Sequence, residues 1–412
     1  RRGIRSDPRP SESNAIPSPG FHRIRRIPVG SDKILYWIRW DPMGSGGIRS
    51  TTVTPDKFVL PRSTNPKLDP MGSERSNAFK RIGDLASSEC ILSRPATLIR
   101  NKNTLSPIRI MNIKELIIYP VKSCAGIKVQ EALVTKYGLA YPSNPQVFDR
   151  RWMVVKNGRH LSQRVLPRMA LIQTSIIDDS LCLQAPDMID LHIPIHSLPK
   201  EVIQCYCWDQ PIFGLRYDNN VSQWLRTFLD TEDEIDLVVF DNEKFQGRLT
   251  KDCEAPNIAR DNDTIVYHDM CPIHLCSLKS IDDLNTRLKK KVQVYNFRPN
   301  IIVGNIEKPY DEDYWREIEI GQVKLTWIAA CPRCLLPTVD PKTGIKDPDQ
   351  EPWNTLRSYR LKPDIYRDKA LFGIDLAPTD EKNNISGIVR VGDAIRILKD
   401  EPHFWDKKEL SS

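Results

Sequence analysis

Residues 327–344 read WIAACPRCLLPTVDPKTG, an apolar run followed by two cysteines and a proline-rich segment. Apolar residues from Val323 to Ala329 predict a strand, and the prolines and glycine after Cys334 predict a loop. Cys331 and Cys334 flank Arg333 where the strand gives way to the loop. A strand that ends in a thiol beside a guanidinium group can present a soft metal ligand next to an anion-binding group.

The same cysteine pair allows three other interpretations. A zinc site would need a second pair of ligands, and the spacings of Cys205 with Cys207 and of Cys271 with Cys276 fit one poorly. A redox pair would be expected to open a helix, whereas loop residues follow here. Two buried thiols that serve only as small apolar side chains are the remaining alternative. The cysteine spacing alone leaves these alternatives open.

Composition and charge argue against a nucleic-acid-binding protein and a membrane-spanning protein. The 412 residues are enough for two domains with a sizeable core. Residues 1–110 hold 20 of the 60 Lys and Arg residues and 9 of the 53 Asp and Glu residues, so their net charge is +11 and that of residues 111–412 is −4. The basic charge belongs to the first segment, which argues against nucleic-acid binding by the rest. Ten cysteines in a chain of this length indicate reduced thiols, and no apolar run approaches a transmembrane span.

Residues 1–110 are predicted to be an irregular, disordered leader. They are rich in Pro, Ser, Arg and Asn, and their apolar residues follow no period of 2 or 3.6. An Arg-rich, acid-poor start is typical of an organelle transit peptide. The alternative is an extension without a folded role, since the chain begins with Arg and Met111 directly precedes the first predicted strand. The expected location is therefore mitochondrial or cytoplasmic.

From Met111 onward the pattern predicts many short strands and two helices, which is typical of a β-barrel or sandwich. Apolar residues at helical spacing predict helices over 220–230 and 277–290. Beyond Glu401 the tail is expected to fray. The predicted strands cover residues 113–119, 129–137, 151–156, 170–177, 180–184, 202–206, 300–303, 317–320, 323–329 and 394–398.

Several cations lie on loops beside the predicted strands. Lys122 and Ser123 sit in a turn, although the glycine pattern of a phosphate-binding P-loop is missing. Arg150, Arg164 and Arg298 come from three other segments. Each of them alone is typical of a surface salt bridge. Together they provide the separated positive charges that an anionic cofactor held between loops would require.

Taken in order, these motifs resemble the MOSC family of molybdenum-cofactor proteins, which includes amidoxime reductases. The resemblance covers about 290 residues from Met111 to the last predicted strand. It implies a mainly β fold with α elements, in which an N-terminal MOSC-type β-barrel domain over 111–240 precedes a MOSC β-barrel domain over 241–400, with a tail over 401–412. The matching motifs are YPVKSCAG (119–126), DR (149–150), Arg164 with Pro167, NFRPN (296–300), ACPRC (330–334), TVDPKTG (338–344), LFG (371–373) and VGD (391–393).

The resemblance also implies a site. Cys334 would be the thiolate ligand of molybdenum, and Cys331 a neighbour without an assured role. Asp340 is the nearest acidic candidate for proton delivery, with a turn-forming role as the alternative. The residues that would contact the anionic cofactor are Lys122, Ser123, Arg150, Arg164, Arg298 and Arg333.

The implied activity is reduction of N-hydroxylated compounds such as amidoximes, hydroxylamines or N-oxides. Electrons would come from a separate cytochrome b5-like donor and its NADH-dependent reductase, since no electron-carrier domain or membrane anchor is recognised in the sequence. The alternative is a molybdenum-cofactor carrier or sulfur-transfer module, although the pyridoxal-phosphate domain of cofactor sulfurases would not fit in 110 residues. Met270 and Cys271 stand where the reductases carry small hydroxyl residues before a proline, so a cofactor contact there is in doubt.

Overall fold

The computed structural model describes residues 110–379 and 384–406. The predicted leader up to residue 109, and the part of the predicted tail from residue 407 onward, lie outside the described residues. Within the described ranges, no helix has the length and apolar character needed to cross a membrane.

Strands dominate the described residues, and the predicted mainly β fold with α elements is confirmed. Their bounds are β1 (Asn112–Ile118), β2 (Ile127–Val129), β3 (Glu131–Thr135), β4 (Gly138–Ala140), β5 (Trp152–Lys156), β6 (Arg159–His160), β7 (Gln173–Ile177), β8 (Ser180–Gln184), β9 (Leu191–Pro194), β10 (Glu201–Cys207), β11 (Gln210–Arg216), β12 (Ile235–Val239), β13 (Arg248–Leu249), β14 (Thr264–Ile265), β15 (Ile273–Ser277), β16 (Ile301–Gly304), β17 (Trp315–Ile320), β18 (Val323–Arg333), β19 (Ala370–Pro378), β20 (Ile385–Arg390) and β21 (Ile395–Asp400).

Both predicted helices are confirmed, each with a side-chain cap at its start. The Asp218 carboxylate accepts hydrogen bonds from the backbone N–H groups of Asn220 and Val221, and the Ser277 hydroxyl accepts one from Ser280 N. The helices are α1 (Asn219–Leu229), α2 (Leu278–Arg287), α3 (Trp353–Arg357) and α4 (Pro363–Tyr366), with 3-10 turns at Pro167–Leu171, Thr250–Asp252, Val294–Phe297, Asp311–Tyr314 and Leu336–Thr338.

The largest sheet has eight strands in the order β2-β1-β16-β15-β19-β18-β17-β21. Its first two members come from the N-terminal part of the described chain, since β1 pairs antiparallel with both β2 and β16. The predicted first domain therefore contributes two strands to the sheet built mainly by the predicted second domain. The domain boundary at residue 240 stays a prediction.

A second assembly is a closed barrel of β10, β11, β12, β5 and β6. Its interior and the packed face of α1 share an apolar core that includes Trp152, Leu215 and Leu225. The remaining strands form three small sheets, β7-β8-β9, β20-β3-β4 and β13-β14. The loops that leave the barrel and the large sheet hold the polar residues described below.

Several described strands were not predicted from the sequence, and two of the differences concern the neighbouring strands β18 and β19. The strand β18 continues beyond the predicted end at Ala329, through Cys331 to Arg333. Its neighbour β19 was not predicted as a strand, although all nine of its residues are buried. A strand covered on both faces loses the apolar–polar alternation that identifies a half-exposed strand.

Two further predictions were wrong at their ends. The strand predicted over 170–177 begins only at Gln173, because Pro167 starts a 3-10 turn that runs to Leu171. The tail was expected to fray beyond Glu401, yet Phe404 is buried in the main apolar core. Trp405 also donates a hydrogen bond from Nε1 to Asp313 Oδ2 at 3.0 Å. These two aromatic side chains bury enough apolar surface to hold the described part of the tail against the fold.

Gly373 allows the close packing between β19 and β15. Its φ is +74°, and a Cβ atom at this position would lie 2.6 Å from the Leu275 carbonyl oxygen. We expect Gly373→Ala to lower the free energy of unfolding by about 3 kcal/mol, because a left-handed residue and a backbone clash both oppose it. The matched control is Gly321→Ala, at φ +59° with no atom within 4 Å, which should cost only about 1 kcal/mol. Equal shifts in urea midpoint for the two variants would contradict the close packing of β19 against β15 at Gly373.

Candidate functional site

The Asp149 carboxylate joins four parts of the chain. Its Oδ1 atom accepts hydrogen bonds from Tyr119 N and Asn300 Nδ2, both at 2.8 Å. Its Oδ2 atom pairs with Arg150 Nη1, and His268 Nε2 lies 3.2 Å away. Complete burial would raise the pKa of Asp149, but the charge of Arg150 and the contact with His268 outweigh it and hold the pKa below its ordinary value. The carboxylate is therefore a buried negative charge that fixes its cationic neighbour.

Two guanidinium groups contact the ring of Tyr119. Arg150 lies 4.7 Å and Arg298 lies 4.2 Å from the ring centroid. Arg298 Nη1 donates to the Cys124 carbonyl oxygen at 2.7 Å, whereas its Nη2 atom is buried without a hydrogen-bond partner among the described residues. An unsatisfied buried donor is costly, and more so on a charged group. These side chains fit an anionic group, whose oxygen would complete the coordination of Nη2.

Three of the predicted cofactor-binding residues have left-handed backbone conformations. The φ angles are 67° at Ser123, 51° at Arg150 and 55° at Arg298. This conformation is uncommon for residues other than glycine, and such strain is concentrated at functional sites. Ten further non-glycine residues in the described chain share it, so it supports the assignment without deciding it.

Lys122 directly precedes Ser123 and belongs to a second polar group. Its Nζ atom donates to the Tyr267 carbonyl oxygen at 2.7 Å and to Asp269 Oδ1 at 2.5 Å. The same carboxylate oxygen accepts from Trp208 Nε1 at 3.0 Å, and the guanidinium of Arg164 lies 4.3 Å from the Trp208 ring centroid. The half-exposed Asp269 carboxylate therefore binds Lys122 directly and is linked to Arg164 through the Trp208 side chain.

Cys334 is the first residue after β18 and is partly exposed. Its Sγ atom accepts a hydrogen bond from the backbone N–H of Leu336 at 3.5 Å. The loop beyond it is held by Asn296, whose Nδ2 atom donates to the carbonyl oxygens of Pro337 and Val339 at 2.9 and 3.2 Å. Asn296 precedes Arg298 by two residues, so this contact brings the thiol segment and the anion-binding segment together.

Arg333, a predicted anion contact, binds mainly to groups inside the protein. Its Nε atom donates to the Phe372 carbonyl oxygen at 2.9 Å, and Nη2 donates to the same oxygen at 2.6 Å. Nη1 donates to the Phe297 carbonyl oxygen at 3.4 Å, and Nη2 also contacts His274 Nε2. Most of its donors are used inside the protein, which argues against the predicted anion contact and favours a role in holding β18 against β19.

A buried polar group beside Cys331 was missed by the sequence analysis. His274 Nδ1 lies 3.0 Å from Asp375 Oδ1, and the Cys276 thiol lies 3.1 Å from His274 Nε2. Burial and the charge of Arg333 lower the pKa of His274 to about 4, so the imidazole is neutral. Burial raises the pKa of Cys331 well above its ordinary value, which keeps this thiol protonated. A histidine within the apolar run of β15 was the signal that could have identified this group.

The remaining sequence candidates have local roles. Asp340 Oδ1 accepts from Lys342 N at 2.9 Å and Oδ2 lies 3.5 Å from Lys290 Nζ, contacts that suit a turn-forming residue. The Cys271 thiol donates to the carbonyl oxygens of Ile273 and Leu376 at 3.0 and 3.2 Å. Met270 is buried in the same small apolar cluster as Cys271. Both residues therefore serve packing at the position where hydroxyl side chains were expected.

Comparison with known proteins agrees with this arrangement of motifs. A family model described as the MOSC N-terminal beta barrel domain matches residues 110–232, and one described as the MOSC domain matches residues 262–396. The chain belongs to the MOSC family. The two matched ranges contain every predicted site residue of this MOSC protein, from Lys122 to Asp340.

Three of its relatives are named as amidoxime reducing components. It is 39% identical over 295 residues to mitochondrial amidoxime reducing component 2 of Rattus norvegicus, covering 70% of this chain and 83% of that protein. It is 36% identical to mitochondrial amidoxime-reducing component 1 of Xenopus laevis, over 69% of this chain and 81% of the relative. It is 37% identical to mitochondrial amidoxime reducing component 2 of Homo sapiens, over 69% of this chain and 82% of that protein.

The buried charge of Asp149 gives a testable pH dependence. Replacing it with asparagine removes one partner of a buried ion pair, so we expect Asp149→Asn to lower the free energy of unfolding by about 3 kcal/mol at neutral pH. Because the folded-state pKa is lowered, the native carboxylate stabilises the fold above the unfolded-state pKa of about 3.9, and this stabilisation is lost as pH falls through the folded-state pKa. The difference between the native protein and the variant should therefore shrink in acid, as measured by urea unfolding across pH.

The control is Asp233→Asn, which removes a partly exposed partner of Lys156. It should change stability little at any pH, since exposed ion pairs contribute weakly. A loss as large as that of Asp149→Asn would show that the effect does not depend on burial.

Proposed function

We propose that this MOSC protein is a molybdenum-cofactor-dependent reductase of N-hydroxylated compounds, with electrons from an external cytochrome b5-type donor and its NADH-dependent reductase. The observation that carries the proposal is the pairing of a partly exposed thiol, Cys334, with the anion-binding segment that contains Arg298. The names of the relatives, amidoxime reducing components, supply the substrate class.

The residues present suit a cofactor with a soft metal and an anionic tail. Cys334 would hold the metal through its thiolate, and the Leu336 N–H would stabilise that charge. Arg298, Arg150 and Ser123 would bind the anionic part, with Arg150 oriented by Asp149. Lys122 and Arg164 would contribute through the group centred on Asp269, once that carboxylate shares Lys122 with the ligand.

When bound, the cofactor supplies a metal centre that changes oxidation state by two electrons and accepts oxygen from nitrogen. The overall reaction adds two electrons and two protons to the N-hydroxylated compound and releases the reduced product and water. Proton delivery by Asp340 remains a prediction, and its contacts with Lys342 and Lys290 favour the turn-forming alternative. The protein's own part is to bind the cofactor, orient it and exclude competing reactions around it.

The proposal predicts different outcomes for the two neighbouring cysteines. Cys334→Ala should abolish reduction of a model amidoxime, because it removes the metal ligand. Cys331→Ala should retain most of the activity, because that thiol contacts Asp375 and its raised pKa keeps it protonated. Turnover is measured with reconstituted cytochrome b5, its reductase and NADH. If the two variants lose activity equally, the ligand assignment is wrong, whereas molybdenum content without turnover in the native protein would favour the carrier alternative.

Arg298 provides a test of cofactor binding that does not depend on activity. Arg298→Gln should lower the molybdenum content per purified chain at least 10-fold, because the charge and the unsatisfied Nη2 donor are both lost. The control is Arg159→Gln, whose side chain is exposed and pairs with Asp209 at the surface. Molybdenum is measured by elemental analysis of folded protein, and unchanged content in the Arg298 variant would contradict the assignment.

A further inference from the structure

A cluster of metal-ligand side chains lies on the three-stranded sheet β7-β8-β9, outside the cofactor site. Cys182 on β8 and His192 on β9 are direct cross-strand partners. Asp190 immediately precedes β9. The Cys182 Sγ atom lies 3.8 Å from His192 Nε2 and 4.0 Å from Asp190 Oδ2, and one ligand atom from each residue lies within 4.8 Å of the others. One thiol, one imidazole and one carboxylate therefore converge.

The two distances from the Cys182 sulfur are close to those expected around a tetrahedral zinc ion. With a Zn–S bond of about 2.3 Å and a Zn–N bond of about 2.0 Å, tetrahedral angles place sulfur and nitrogen about 3.5 Å apart. A zinc–carboxylate bond of about 2.0 Å gives a similar sulfur–oxygen distance. Small side-chain rotations of His192 and Asp190 would close the remaining few tenths of an ångström.

The sheet also sets the accessibility of the three side chains. Leu181 and Leu183 belong to the apolar core, so the intervening Cys182 points to the opposite face of β8. Cys182 is buried on that face, whereas Asp190 and His192 are exposed. A cation would meet the two exposed ligands first and would reach the buried sulfur once these side chains move, with a fourth coordination position left for water.

A fourth side chain orients one of the ligands. Gln184 Nε2 donates a hydrogen bond to Asp190 Oδ2 at 2.6 Å. Metal-binding carboxylates usually have such outer partners, and loss of one typically weakens metal affinity by about 10-fold to 100-fold. The hydrogen bond holds the Asp190 carboxylate close to Cys182.

We propose that Cys182, Asp190 and His192 bind one divalent zinc ion. A cysteine sulfur, a histidine nitrogen and a carboxylate oxygen are the three donor types that bind zinc in proteins. Binding exchanges the thiol proton of Cys182 for a sulfur–zinc bond and releases that proton to solvent, without oxidation or reduction.

The other cluster of possible ligands, His274 with Cys331 and Asp375, is less suitable for a cation. The guanidinium of Arg333 contacts His274 Nε2 and places a positive charge at that cluster. No guanidinium contact is recorded for the β7-β8-β9 cluster among the described residues, and its polar neighbours Gln184 and Ser175 are neutral.

The test measures zinc binding by the full chain with its cofactor loaded, in competition with a chromophoric chelator. The native protein should bind one zinc per chain that Cys182→Ser and His192→Ala each lose. The matched control His196→Ala removes another exposed histidine near the sheet and should keep it. Gln184→Leu should bind about 10-fold more weakly. Equal zinc content in the native protein and Cys182→Ser would overturn the proposal.

Cobalt identifies the ligand directly. The native protein titrated with Co²⁺ should show the thiolate-to-metal charge-transfer absorption expected of a cysteine ligand, and Cys334→Ala should retain it because that thiol is outside the cluster. Its absence from the native protein, or its loss with Cys334→Ala rather than Cys182→Ser, would overturn the proposal. Both readouts are independent of reductase activity, so failure of the proposed function would leave the zinc result interpretable.

Discussion

The candidate site depends on one buried negative charge. Asp149 accepts hydrogen bonds from Tyr119 N and Asn300 Nδ2 and pairs with Arg150, which ties together the end of β1, the start of β5 and the segment before β16. An unpaired carboxylate in this position would be strongly destabilising, so its partners must be held in place. Arg150 and Arg298 both contact the Tyr119 ring.

This constraint explains how distant segments form a single site. Asn300 donates to Asp149 and to the Ile117 carbonyl oxygen, which fixes β16 against β1. Asn296 holds the loop after Cys334 through two carbonyl oxygens. The five-residue segment 296–300 therefore connects the buried carboxylate, the free donor of Arg298 and the thiol of Cys334. Rigid support of this kind places a metal ligand and an anion-binding group at a fixed separation.

Much of this arrangement could be predicted from the sequence, and the remainder depended on contacts that local patterns do not encode. Apolar residues predicted both long helices and the first part of the strand that leads to Cys334, and the order of motifs predicted the family. The strand β19 was missed because its complete burial removes alternation. Arg333 was expected to contact an anion, but its direction depends on the Phe372 and Phe297 carbonyl oxygens, which are distant in sequence.

The most direct measurement is a crystal structure of the full chain purified with its own cofactor. The account predicts an anionic oxygen of the cofactor within hydrogen-bond distance of Arg298 Nη2 and a bond between the metal and Cys334 Sγ. A cofactor bound away from Arg298, or a metal without a bond to Cys334, would contradict the account.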